Sequence, residues 1–217
     1  MSATQVTPNV TRRKPREDRR HEIINAACNL ALSEGLGAIT ARRVASQVGV
    51  GFSLVTHYFS SIDELVSAAF SKVVADERTS IADYVRDRET VTEQLRATFA
   101  AYTVATRDPI GLLWLDAWRQ AADRPLIRAA VVQQMELDLV DMKATIDAGV
   151  ASGEFELADP SSVVAMRILA LLDGQVAASA VRGALVESTL DYPAVEDLLA
   201  ATAERELGLP VGALATD

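Results

Sequence analysis

Cysteine is almost missing. Cys28 is the only one in 217 residues, so no internal disulfide can form and zinc sites built on several cysteines are excluded. Glycine and proline are scarce, at 11 and 7 residues, while alanine, leucine and valine abound. That balance favours helix and argues against a β-sandwich or a low-complexity chain. No apolar run approaches the roughly 18–20 residues needed to span a bilayer. The start of the chain is polar and basic, without the apolar stretch of a secretory signal. A cytoplasmic protein with no membrane partner is expected. The two histidines, His21 and His57, lie far apart in the sequence, and no His, Cys, Asp or Glu group stands at metal-ligand spacing. No nucleophile motif, phosphate loop or dinucleotide fingerprint is present. The reading is therefore not an enzyme, with no metal and no cofactor.

The net charge of −9 would by itself argue against a nucleic-acid partner. Its distribution argues otherwise. Residues 1–60 hold eight basic and four acidic groups, a net +4, and the remainder holds 13 basic and 26 acidic groups, a net −13. Such asymmetry points to nucleic-acid or membrane contact at the basic end, with a solvated tail as the plain alternative. The acidic remainder would face away from a duplex.

Residues 1–15 lack periodicity and contain Pro8 and Pro15; they read as a flexible basic arm. From Asp18, Ile23, Ile24, Ala27, Cys28 and Ala31 recur at helical spacing, and Gly35 and Gly37 end that helix. Thr40 is an N-cap for a short second helix with Val44, Ala45 and Val48 inward. Gly49-Val50-Gly51 is a tight turn into a third helix over 52–59. Asp63 and Glu64 open a longer one, where acids suit the helix dipole. Further helices are expected over 91–105, 110–121 and 126–151, from Asp159-Pro160 to about Leu185, and from Pro193 to about Gly208. The fold class is all-α: a three-helix helix-turn-helix domain over 16–61, then a helical effector-binding and dimerisation domain over 62–217.

Two short helices joined at a glycine turn suit the major groove, which is about 12 Å wide and admits one helix. Thr40-Ala41-Arg42-Arg43-Val44-Ala45, Val48-Gly49-Val50, His57-Tyr58-Phe59 and Asp63-Glu64-Leu65 stand in ungapped spacing. Over residues 18–70 this pattern resembles the signature of the TetR family. The Thr56–Phe59 ending resembles the BetI-type branch, whose repressors respond to choline. More loosely, Trp114-Leu115-Asp116-Ala117-Trp118, Asp123-Arg124-Pro125-Leu126, residues 149–155 and Leu172-Asp173-Gly174 are similar to that branch's regulatory domain. The resemblance implies an all-helical, homodimeric, ligand-responsive transcription regulator, usually a repressor. Choline specificity does not follow, because effector choice rests on a few cavity residues. Two positions depart from the pattern. Gly51 stands where the family often has a Ser cap, which costs little. Ile62 stands where it usually has a phosphate-contacting Lys, and whether the arm residues Arg12, Arg13, Lys14 and Arg16 offset that loss is open in the sequence.

The candidate DNA-binding residues are Arg12, Arg13, Lys14, Thr40, Arg42, Phe52, Ser53, Thr56, His57 and Tyr58. Ser and Thr read several bases, and Phe or a Thr methyl packs on a thymine methyl. Phe52 reads equally as cover for the core edge. Tyr58 is a phosphate contact by the resemblance. Cys28 reads as buried packing.

Trp114 and Trp118 share one helix face and could hold a cation between aromatic faces or simply fill core. Phe70, Phe99, Tyr102, Met135 and Leu139 are further candidates for an effector cavity, each more readily read as plain core. For the dimer interface the apolar face of the penultimate helix stands out: Ile168, Leu171 and Leu172, with Gly174, Gln175 and Ala178. A two-fold dimer would place two recognition helices about 34 Å apart, in successive major grooves of a pseudo-palindrome. The expected function is thus a DNA-binding regulator, a repressor released from its operator by a small molecule of unknown identity. The alternatives are a regulator with no effector, and a helical binding protein whose basic end meets a protein or membrane surface.

Overall fold

A computed structural model describes residues 15–179 and 195–215. Among them, helices and short turns account for the ordered backbone, with no strand. In chain order they are α1 (Arg16–Glu34), a 3-10 turn (Leu36–Ala38), α2 (Ala41–Val48), α3 (Phe52–Tyr58), α4 (Ile62–Val85), α5 (Val91–Thr103), a second 3-10 turn (Ala105–Arg107), α6 (Asp108–Ala121), α7 (Pro125–Ser152), α8 (Ser161–Ser179) and α9 (Val195–Leu207). The expected continuation of α8 toward Leu185 falls outside the described residues, as do Arg12, Arg13 and Lys14.

Local chemistry sets the helix ends. Thr40 Oγ1 accepts the Arg43 N–H at 3.3 Å and starts α2. Gly49 stops it at φ +71°, where its own N–H meets Ser46 O at 3.3 Å and the Val50 N–H meets Ala45 O at 2.9 Å. This paired closure needs a left-handed residue, which glycine supplies without a Cβ penalty. Ser61 Oγ accepts from Glu64 N at 3.1 Å to open α4, and the Glu64 carboxylate in turn accepts from Ser60 N and Oγ, both at 2.8 Å. Thr90 and Glu93 form a capping box on α5. Pro125 occupies the first turn of α7, where its missing N–H costs nothing.

Two apolar cores result. One joins α1, α2, α3 and α4 to α6 and α7: Ile23, Leu30, Val44, Val55, Phe59, Leu65 and Phe70 meet Leu113, Trp114, Ala117, Ile127 and Val131, with Val176 from α8. The helix-turn-helix therefore shares its interior with the rest of the chain. The second core holds Leu95 and Phe99 of α5, Met142 and Ile146 of α7, Ile168 and Leu172 of α8, and Leu199, Ala203 and Leu207 of α9. Phe155 closes that end by laying its ring on the bare backbone of Gly149; a Cβ there would lie 2.1 Å from Phe155 Cδ2.

Candidate nucleic-acid interface and ligand cavity

The two-turn helix α3 has a wet face and a dry face. Val55 and, just beyond the helix, Phe59 are buried, whereas Phe52 (51% exposed), Ser53, Thr56 and His57 face solvent. Phe52 is thus surface, not core edge. Thr56 Oγ1 donates to Ser53 O at 3.1 Å, which fixes its hydroxyl and leaves its methyl outward. Tyr58 is half-buried, its ring meeting His57 edge-on at 5.7 Å. The Arg16 and Arg20 guanidiniums of α1 lie 6.0 Å and 5.0 Å from the ring centres of Tyr58 and Phe59, so α1 braces the end of α3.

Thr40 is exposed beside α3 even as it caps α2, and Arg42 is exposed on the first turn of α2 with no ion pair to a described residue. Arg43 is held away by an ion pair with Glu34. Ile62, at the first position of α4, is 39% exposed and brings no charge. Thr40, Arg42, Phe52, Ser53, Thr56, His57 and Tyr58 thus all belong to α2, its cap and α3, two helices that pack on each other.

A polar chain ties this end to the helices behind it. Asp116 on α6 accepts the Leu36 backbone N–H at 2.8 Å, Gln120 Nε2 at 3.0 Å and an Arg119 N–H at 3.1 Å. Burial works against its charge, but these three bonds outweigh burial and hold the carboxyl below its usual range. Gln120 Oε1 accepts from Arg124, and Arg124 Nε donates to Asp63 Oδ1 at 3.0 Å. The network runs from the end of α1, through α6 and the α7 entry, to the start of α4.

Between the two cores lies a cavity of about 290 Å3. Tyr102, Trp114, Met135 and Leu139 line it, with Val74, Leu172 and Val176. Three expected lining residues do not reach it. Phe70 is fully buried in the first core, edge-on to Trp114 at 5.0 Å; Phe99 is buried in the second core; Trp118 packs on the far side of Trp114 at 5.4 Å. Each fills volume between helices.

Charged residues that the sequence reading passed over also line this cavity. Glu77 of α4 takes a two-pronged bond from Arg107, 2.6 Å from Nε and 3.2 Å from Nη2, and Arg107 lies 4.3 Å from the Tyr102 ring centre. Arg78 binds Asp138 through Nε and Nη2 at 3.0 and 2.8 Å, and reaches Gln134 Oε1 at 3.1 Å. Burial pushes the Glu77 and Asp138 carboxyls up despite these partners, and raises the Tyr102 hydroxyl.

The expected dimer residues divide. Ile168 is fully buried inside the protomer and Leu172 faces the cavity, so neither has surface left for a second copy. Leu171 is half-buried against the second core, Gly174 is exposed, and Gln175 is buried with neither amide atom hydrogen-bonded to a described residue. The Ala178 side chain lies outside the described residues. The helical period marks an apolar face but not which neighbour covers it. Among the described residues, no helix is long and apolar enough to cross a membrane, and no cluster of three His, Cys, Asp or Glu is placed to hold a metal.

Residues 23–69, which span the whole helix-turn-helix, match the family model of the bacterial regulatory proteins of the tetR family. Over this stretch the chain is similar to the TetR family. A curated relative, the HTH-type transcriptional regulator BetI of Burkholderia thailandensis, is 29% identical over 119 residues; the alignment covers 52% of this chain and 60% of the relative, under two thirds of its length. The fold likeness extends further. A crystal structure of a TetR-family regulator from a Rhodococcus species superposes with a TM-score of 0.72 at 15% identity, over 88% of this chain and 99% of that one. A regulator from Saccharomonospora viridis, solved with choline, gives 0.70 at 17% identity over 88% and 98%. These similar proteins are described as transcription regulators.

Proposed function

We propose that this chain is a dimeric, sequence-specific transcription regulator of the TetR family, a repressor that leaves a pseudo-palindromic operator when a small molecule fills the cavity between α4, α6, α7 and α8. One observation carries the reading. Trp114 lines the cavity and packs on Phe70 of α4, while Asp116, two residues on, holds the Leu36 N–H at the foot of the helix-turn-helix. A molecule that favours one placement of α6 thereby favours one placement of the DNA-reading helices. Linkage then lowers DNA affinity by the ligand's differential affinity for the two states, typically about 1–3 kcal/mol. The side chains offered to the groove are Arg42, Phe52, Ser53, Thr56 and His57, with Thr40 and Tyr58 at phosphates and Arg12, Arg13 and Lys14 reaching from the arm. The second copy supplies the other recognition helix and meets this one along the exposed side of α8 around Gly174.

Selection of genomic fragments by the purified protein at near-physiological salt tests the proposal. Enrichment of a palindrome with half-sites one helical turn apart, bound more weakly as salt rises, is expected. Folded protein that enriches no sequence above random fragments would overturn operator recognition.

A further inference from the structure

The charges around the cavity do not balance. Four carboxylates line it, Glu77, Glu136, Asp138 and Asp173, against two guanidiniums, Arg78 and Arg107. Both guanidiniums are already engaged. Arg107 is forked onto Glu77 and capped by the Tyr102 ring, and Arg78 is divided between Asp138 and Gln134. An anionic ligand would have to break one of these part-buried pairs and then sit beside the remaining carboxylates. Breaking such a pair leaves a largely desolvated charge without its partner, which is unfavourable.

Asp173 is different. It comes from α8 and lines the cavity from its solvent-exposed rim. Like the exposed Glu136 of α7, it makes no hydrogen bond or ion pair with a described residue, but it alone of the two lies close enough to Asp138 to feel its charge. Its carboxyl is pushed up, first by loss of water and then by the neighbouring Asp138 charge, with Arg107 only partly offsetting. The rest of the lining is apolar and soft: Trp114, Leu139, Leu169, Leu172 and Val176, with Val132, Met135 and Met166 partly open to solvent. Thioether side chains adapt to irregular aliphatic shapes. A volume of about 290 Å3 sits at the small end of ligand sites, enough for a head group and a short chain.

We infer that the cavity takes an amphiphilic organic cation, its ammonium head set against Asp173 and its apolar body against Trp114, Leu172 and the two methionines. This rests on the cavity being the effector site. The head group offsets Asp173, one of the two lining carboxylates (with Glu136) that no guanidinium engages, and leaves both internal ion pairs intact, which neither a neutral nor an anionic molecule of equal size does.

Three probes with the same ten-carbon chain separate the possibilities: decylamine, decan-1-ol and decanoate, titrated at pH 7 into the full chain while tryptophan emission is followed. Trp114 lines the site, so occupancy changes its emission directly. Decylamine is expected to bind at least tenfold more tightly than decanol, and decanoate more weakly than both. Asp173→Asn is expected to cost decylamine tenfold or more and to leave decanol unchanged. Equal binding of decylamine and decanol, preference for decanoate, or full decylamine affinity in a folded Asp173→Asn variant would each overturn the cation assignment while the cavity reading stands. Absence of binding by all three probes would overturn the cavity reading, and the cation assignment with it.

Discussion

Replacing Asp116 with alanine removes the acceptor that holds the Leu36 N–H. Leu36 is fully buried, so its amide finds no water in exchange. A hydrogen bond to a charged acceptor contributes about 1.5–3 kcal/mol, and a buried N–H left without a partner costs a similar amount, so the two figures describe one loss and are not added. Gln120 also loses a partner at 3.0 Å, while Arg119, 73% exposed, loses little. The expected destabilisation is about 2–3 kcal/mol, or a fall in Tm of roughly 5–10 °C for a chain of this size. Asp116→Asn keeps an oxygen toward Leu36 and should cost about half as much. Arg119→Ala, which removes only the exposed donor, should stay within about 0.5 kcal/mol of wild type. Urea unfolding gives the energies, and amide hydrogen exchange at Leu36 gives the location. If Asp116→Ala unfolds at the wild-type midpoint, or if the Leu36 amide exchanges no faster, the bond does not tie α6 to the helix-turn-helix.

Arg42→Ala should weaken binding to a recovered operator about tenfold and flatten its salt dependence, with the urea midpoint unchanged; unaltered binding would remove α2 from the DNA face. Gly149→Ala should cost about 1–3 kcal/mol, because the added methyl meets the Phe155 ring at 2.1 Å; a neutral urea midpoint would mean that the ring swings away freely. Cys28 donates to Ala69 O at 3.5 Å, and burial pushes its thiol from 9.0 to about 11. Between those values the unfolded chain has lost its proton and the folded chain keeps it, so stability should fall as pH rises from 9 to about 11. A thiol reagent at pH 8 should label Cys28 only in urea, and rapid labelling of the native protein would contradict its burial.

The helices were legible because apolar residues recur at helical spacing and because Thr40, Gly49, Pro125 and Gly153 punctuate them with side chains suited to starts and stops. The wet face of α3 was legible for the same reason, since its two turns hold one core stripe. The cavity was not. Phe70 and Tyr102 both read as inward aromatics, yet one is packed solid and the other borders a void. Spacing tells which way a side chain turns, not how well the far side is filled. Charge was silent in the same region: nothing in their spacing marks Glu77, Arg78, Arg107 and Asp138 as partners, and only the fold brings α4, the turn before α6, and α7 close enough to pair them. On α8, Ile168 and Leu172 looked like a partner-binding face because α9 and the cavity, which cover them, lie far away or invisibly in the sequence.

Trp114 is at once a wall of the chamber and a strut beneath Phe70 of α4. Close-packed interiors have little slack, so a change of shape on one side of that indole is felt on the other. A substitution that enlarges the chamber at this position also loosens the seat of the DNA-reading helices, and one that tightens the seat narrows the chamber. Under the proposed function, effector preference and operator affinity cannot drift independently: a lineage that acquires a new inducer through Trp114 must retune its grip on DNA in the same step.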